Sequence, residues 1–442
     1  MLELQVHRNK RPPFWMLAIA LVVASTGLAQ IQSGYGILFL DQEAPSFESL
    51  VLAVAKNDYP TLVFTTTKEG GKIQVEYEWV EIGKFPLPKP GTFELFSVGL
   101  QPADRERILA SKRTIFLNFT YAEKDALTAI HTISRFIGAI TKDAKAAVWD
   151  DENRQILSAS EWKARRVDSW IGEQADIAKH IIMHEYRDPD LHRLITLGLR
   201  KFGLPDLVLT GIPGDLSRPA GNTIDHCAQV LLEQGLPPNN RFVLDLRKIR
   251  HASVRAKALE FPLKGATGIA TVSLTETPVE PGDADNRLLK IEFPEARGAD
   301  SSERTAQALA ALYGSENKIL YARHNDEELI AARDRARQAF LKKKDLFKAG
   351  LQPNERLAVK FGFSDGKNTE YMWLEVYAWD GDVLSGVISN DAYDIEGIKA
   401  GKRVKVPASE IYDYLHYFPD GTEEGNETGK ILQKRKGKSD PP

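Results

Sequence analysis

The chain has 442 residues, 43% hydrophobic and 27% charged, enough for two or three domains with real cores and too apolar for a disordered chain. Its formal net charge of −3 favours neither nucleic acid nor anionic lipid as a general partner. The single cysteine, Cys227, excludes an internal disulfide framework and a cysteine-rich metal centre.

His7, Arg8, Lys10 and Arg11 precede the apolar run FWMLAIALVVASTGLA at residues 14–29. Its strongest part, residues 15–24, has the length of a signal-peptide core and is short for a membrane span, which needs roughly 20 apolar residues. Gly27, Leu28 and Ala29 then predict cleavage after Ala29, so residues 1–29 are expected to be a signal peptide. The alternative is an uncleaved single-pass anchor using residues 14–31. With no lipidation cysteine directly following the apolar run, a lipoprotein is excluded. The expected location is exported, periplasmic or extracytoplasmic.

GILFL at residues 36–40 is a predicted buried strand. Residues 45–56 are a predicted helix, with Pro45 near its start and Phe47, Leu50, Val51 and Val54 at helical spacing. TLVFTTT follows, and in IQVEYEW Ile73, Val75, Tyr77 and Trp79 alternate with polar residues, as in a half-solvated strand. A turn at Lys68-Glu69-Gly70-Gly71 is predicted to join these two strands. TIFLNFTY predicts another strand, residues 122–139 a helix carrying Leu127, Ile130, Ile133, Phe136 and Ile137, and AAVWDD a strand. Ser158 is placed to cap the helix that opens before Trp162. KHIIMHEY and LHRLITL predict a hairpin with a four-residue turn at 187–190. A strand LVLTG and a helix near 223–234 follow. Residues 241–293 are β-rich, 303–313 helical, 325–347 a charged helix, and the tail after Gly421 is predicted to be disordered. Strands, helices and hairpins mixed in this way predict an α+β fold: two or three mixed units with antiparallel sheets, ending in a small β-rich domain. The expected divisions are 36–110, 111–240, 241–324, 325–420 and the tail 421–442.

No strong catalytic signature is present. His180 and His184 are four apart with Glu185 adjacent, a spacing that can place two imidazoles on one metal ion. Glu185 follows the second histidine, so the order is not HExxH. On a strand the predicted turn sets Glu185 opposite His192 and His184 opposite Arg193, and the three histidines do not converge. The plainer reading is structural or surface polarity. A metal site there would need a third ligand, with Asp150 or Asp151 as candidates. Asp225-His226-Cys227 has the residue types of a thiol nucleophile and base, but neighbours on a helix point about 100° apart, so a buried cysteine is the better reading. Asp150-Asp151-Glu152 is a solvated turn or a cation site. Gly211-Ile212-Pro213-Gly214 is a turn, lacking a dinucleotide or phosphate-loop pattern. Lys399, Lys402, Arg403 and Lys405 read as a solvated edge strand.

In YMWLEVYAW, Tyr371, Trp373, Glu375, Tyr377 and Trp379 share one parity and Met372, Leu374, Val376 and Ala378 the other. The second face is apolar core. The first is a candidate aromatic binding platform or, alternatively, a face covered by another layer.

The C-terminal region, about residues 325–414, resembles the bacterial family named domain of unknown function 2314. The resemblance rests on Lys360-Phe361-Gly362-Phe363, Glu370 through Val376, Gly386-Val387-Ile388-Ser389-Asn390, Ile398 through Val404, and Ile411-Tyr412-Asp413-Tyr414. Lys402 stands where the family usually has aspartate, and Tyr414 where tryptophan is common. The resemblance implies a small β-rich fold after a helix and implies no enzymatic role. Residues 196–207 also resemble the companion region of larger proteins with this domain. The expected function is an exported, non-enzymatic binding or accessory protein of the cell envelope, with an unidentified protein or envelope ligand as partner and no cofactor. The alternative is a metal-dependent hydrolase centred on His180 and His184.

Overall fold

In a computed structural model, described residues run from 29 to 436 apart from 41–46, 65–71, 143, 189–190, 261–264, 281–282, 284, 315–325, 353–354, 367–368 and 393–394. The predicted signal peptide or anchor therefore lies outside the described residues except for its last positions. The fold is α+β, with mixed and antiparallel sheets and a β-rich C-terminal region.

The central strand of the first sheet is Gln30–Phe39, paired antiparallel with Arg113–Ala122 on one side and Ala146–Asp150 on the other. Ile37 packs with the apolar stripe Ile130, Ile133, Phe136 and Ile137 of helix Ala126–Thr141, whereas Leu38 packs with Phe85, Phe93 and Ile108 on the opposite face. Burial on both faces explains why GILFL is a continuous apolar run. The strand starts six residues before the predicted one because Gln30, Gln32 and Ser33 disguise its first half. Leu62–Val63 runs parallel to Ile73–Glu81, which corrects the predicted hairpin, since a tight turn joins only antiparallel strands. The turn residues themselves lie outside the described residues. Ser158 caps the next helix as predicted, its Oγ accepting from the Glu161 amide at 3.2 Å.

The second sheet orders its strands Ile182–Asp188, Leu191–Leu197, Asp206–Ile212, Leu288–Glu292, Ile269–Thr277 and Arg241–Asp245. Only the Asp206–Ile212 and Leu288–Glu292 pair is parallel among the described pairings of this sheet. Helix Ser217–Gln234 contributes Ile224, Cys227, Ala228 and Leu231 to the shared core and ends at Gly235, whose φ of 76° suits glycine. The predicted boundaries at 110/111 and 240/241 both fall inside sheets, because each sheet is completed by strands distant in sequence.

The third sheet, ordered Arg403–Pro407, Val383–Ile388, Thr369–Asp380, Arg356–Ser364, Asp413–Tyr417 and Glu423–Gly425, is antiparallel. Helix Glu327–Leu341 covers one face through Ala336 and Phe340. The tail is folded to Lys436, contrary to the predicted disorder after Gly421. Its helix Glu427–Lys436 is fastened by the Asp413 carboxylate, which accepts from the Thr428 amide at 2.8 Å and hydroxyl at 2.5 Å, and by Arg435 pairing with Asp326 and Glu328. Charged composition concealed these partners, which lie far back in the chain.

Candidate functional site

The aromatic stripe predicted on Thr369–Asp380 is divided by a β-bulge. The register with Val383–Ile388 shifts between Val376 and Ala378, so the residues beyond it change faces. Trp379 turns into the core, 7% exposed, and stacks on Phe340 with ring centroids 4.5 Å apart. Ala378 takes the exposed side instead and Tyr377 is half-buried. Tyr371 remains at the surface, 40% exposed, its ring 4.1 Å from that of Tyr412 and its edge over Gly362. Trp373 is half-buried beside it, with the Lys360 ammonium 5.7 Å from the indole centre. Burial pulls the Lys360 pKa down, opposed by the Asp413 carboxylate. Arg337 holds the loop carrying Tyr412 by donating to the Ile411 carbonyl at 2.6 Å and the Glu410 carbonyl at 3.1 Å. Arg333 and the exposed Ile330 lie on the same helix at helical spacing from Arg337. The surviving surface is therefore a ledge of Tyr371, Tyr412 and Trp373 edged with cations.

Glu375 leaves this ledge for the second sheet. Its Oε1 lies 3.1 Å from His192 Nε2, and its Oε2 accepts from the Gly214 amide. His192 Nδ1 in turn lies 2.6 Å from Glu185 Oε1, which also accepts from the Ser217 hydroxyl at 2.5 Å. Burial lowers the His192 pKa, but its bonds with the two carboxylates overcome that and raise it to about 9. Asp188 pairs with Leu191, so Glu185 faces Leu194 and not His192 as predicted, and His184 faces Ile195. Glu185 still reaches His192 because the two are diagonal neighbours on one face. A Cβ at Gly214 would fall 2.5 Å from Glu375 Oε2 and 2.6 Å from Arg356 Nη1, so the close approach requires glycine. The weak Gly-Ile-Pro-Gly motif thus sits at a seam between sheets.

His180 and His184 have separate partners. His180 is fully buried, its ring edge-on to Trp170 at 5.5 Å and Phe202 at 5.6 Å, with Nε2 3.5 Å from Ser169 Oγ. Burial, then Arg166 and Lys201, drive its pKa well down and keep the ring neutral. His184 is half-buried against Phe96 at 5.8 Å. Among the described residues no group of three or more His, Cys, Asp or Glu could hold a metal ion. His226 Nδ1 lies 2.9 Å from the Tyr313 hydroxyl, burial lowers its pKa to about 4, and burial pushes the fully enclosed Cys227 thiol far up. The Asp225-His226-Cys227 run builds no relay. Lys399 pairs with Asp391 at 3.6 Å and Arg403 with Asp300 at 3.6 Å, which accounts for two of the predicted basic cluster.

A second polar centre, of which the sequence showed only the Asp150-Asp151-Glu152 run, lies between the first and second sheets, with Asp150 buried and not in a solvated turn. Asp150 Oδ2 receives Lys201 Nζ at 2.7 Å and Arg166 Nη2 at 3.4 Å, and all three side chains are at most 1% exposed. Arg166 comes from the π-helical turn Lys163–Val167. Its Nη2 also meets Gln155 Oε1 at 3.1 Å, while Nε and Nη1 have no hydrogen-bond partner. Burial lowers the pKa of both cations, offset in part by Asp150. Glu152 beside them is raised to about 7, by burial first, with Arg200 and Lys201 opposing. Asp151, the other predicted ligand, accepts from the Trp149 indole at 2.9 Å. An open groove of about 440 Å³ lies at the same junction, lined by Glu123, Lys124, Phe202, Leu204 and Leu236 among others.

A family model described as an uncharacterized protein conserved in bacteria (DUF2314) matches residues 326–440, which are the helix-covered third sheet and its closing helix. No curated protein and no solved structure matches the chain. Among the described residues no helix is long and apolar enough to cross a membrane.

Proposed function

We propose that the protein is an exported, non-catalytic binding or accessory protein of the bacterial cell envelope, and that its C-terminal module meets its partner on the ledge of Tyr371, Tyr412 and Trp373. The observation that carries this reading is Tyr371, a large ring left 40% exposed and packed at 4.1 Å on a second tyrosine. Tyrosine, tryptophan and arginine dominate binding energy at protein interfaces, because they bring large contact area at low entropic cost. Lys360 at its edge, with Arg333 beside it paired to Asp334 at 3.0 Å, suits a partner segment that joins an apolar side chain to a carboxylate. The export reading is supported by the apolar run at 14–29 and by the start of the first strand at Gln30, with Ile31 buried opposite Tyr121. The hydrolase alternative gains no comparable observation at His180 or His184.

The test is site-specific photocrosslinking in the native host, with the probe at Tyr371, Tyr412 or Leu95, the last being 80% exposed on the first unit. A discrete adduct from positions 371 and 412 and none from 95 is the expected result. Equal adducts, or none, at all three positions remove the ledge as the contact surface. The mature mass from the same cells should correspond to a chain starting at Gln30, and a chain retaining residues 1–29 would overturn the cleaved-signal part.

A further inference from the structure

The third sheet and the rest of the protein bury separate apolar clusters. The residues packed around Phe340, Leu374 and Trp379, and those around Met372 and Ile388, all come from the C-terminal module. The large cluster uniting the first two sheets ends at Leu312 and Tyr313. No apolar cluster among the described residues spans the seam, and several side-chain bonds cross it. Glu375 meets His192 and the Gly214 amide, Arg403 meets Asp300, and Gln307 Nε2 donates to Asp391 at 3.1 Å. Gly401 packs so tightly on the helix start at Ser301–Tyr313 that a Cβ would stand 2.7 Å from the Ser302 carbonyl oxygen. Contacts between units that share no apolar cluster resemble transient interfaces, for which relative motion is the default.

Beneath the seam, Glu375 and its register partners Ala358 and Val387 lie on the face turned away from the module's core, yet are 3%, 2% and 0% exposed. This is the same face that carries Tyr371 and Trp373 further along the strand.

We propose that the bridge Glu185–His192–Glu375 is a charge latch holding the C-terminal module against the second sheet, and that breaking it lets the module separate as a unit and uncovers the sheet face around Glu375. The inference stands whether or not Tyr371 touches a partner. The groups facing His192 are Glu185 from its own hairpin, Glu375 from the module and the Ser217 hydroxyl through Glu185, with Arg356 acting on Glu185 from the neighbouring strand of the module. The imidazolium shares with the Arg356 guanidinium the task of offsetting the mutual repulsion of two carboxylates, so loss of its proton removes a bond and restores part of that repulsion. The sign follows from the raised pKa. The latch is complete below the ordinary histidine range and is lost as pH rises through about 9. Docking is thus expected to weaken by at most roughly tenfold per pH unit in that window. Glu185 stays with His192 after separation, so the actual slope is shallower.

The experiment uses the full chain with Cys227→Ala and spin labels at Arg297→Cys and Lys405→Cys, two exposed positions on opposite sides of the seam. The parent at pH 7 should give one narrow distance distribution. His192→Gln and Glu375→Gln, which keep size but remove charge, should each raise a longer, broader population at least tenfold while the circular dichroism stays native. The same population should grow in the parent between pH 7 and 9.5. An unchanged narrow distribution in both variants overturns the latch. Loss of native circular dichroism in both overturns it as well, since the bridge would then belong to one cooperative core and not to a separable contact.

Discussion

Replacing Asp150 by asparagine should be more damaging than removing either of its partners. The wild-type set holds two buried cations against Asp150, with all three side chains at most 1% exposed. Asp150→Asn leaves Lys201 and Arg166 facing each other with no full counter-charge, and breaking a buried pair in this way costs about 3–5 kcal/mol. Lys201→Met removes one charge-assisted hydrogen bond, about 1.5–3 kcal/mol, but leaves Arg166 matched to Asp150. At ~1–2 °C per kcal/mol for a core of this size, the melting temperature should fall by about 3–10 °C for Asp150→Asn and about 1.5–6 °C for Lys201→Met. Thermal and urea unfolding followed by circular dichroism at pH 7 give the two values under one condition. If Lys201→Met costs as much as Asp150→Asn, the excess of buried positive charge is not what governs this centre, and the reasoning fails.

The bulge makes a sharp contrast between two aromatic residues on one strand. Trp379→Ala should cost about 3–5 kcal/mol in urea melts, as for a large ring deleted from a core, whereas Tyr371→Ala should stay within about 1 kcal/mol. Trp379→Phe should be well tolerated, because it keeps a ring on Phe340 and discards a buried indole N–H that has no acceptor. Glu152 gives a pH prediction. Its carboxyl holds a proton up to about pH 7 when folded, but only to about 4.3 when unfolded. The folded state therefore binds more protons between these limits, and stability falls as pH rises through them. Glu152→Gln should match the parent at pH 4 and exceed it by about 1–3 kcal/mol at pH 8, as read by urea midpoints; no gain at pH 8 refutes the assignment.

Local periodicity was legible where one layer packs on another. The stripe from Ile130 to Ile137, the alternation of Ile73, Val75 and Tyr77, and the serine cap at Ser158 all follow from short-range spacing. The C-terminal resemblance was legible too, and the matched region extends beyond it through the closing helix. Features set by distant partners were not. Asp150 and Lys201 are 51 positions apart, and His192 and Glu375 are 183 apart, so no window of sequence contains both. The bulge after Val376 was hidden for another reason. YMWLEVYAW carries aromatic or apolar residues at nearly every position, and such a run marks no place where parity should break.

The parallel pairing of Asp206–Ile212 with Leu288–Glu292 sets an order of events during synthesis. The first sheet is complete once the chain reaches Ser158. Asp206–Ile212 must then wait for Leu288–Glu292, 76 residues beyond Ile212. At ~5–20 residues per second that is a delay of roughly 4–15 s with an unpaired strand edge exposed. During this interval the nascent chain presents the buried sequence Asp206-Leu207-Val208-Leu209 to any chaperone or neighbouring strand. The half-made second sheet is therefore one point in biosynthesis at which aggregation competes with folding.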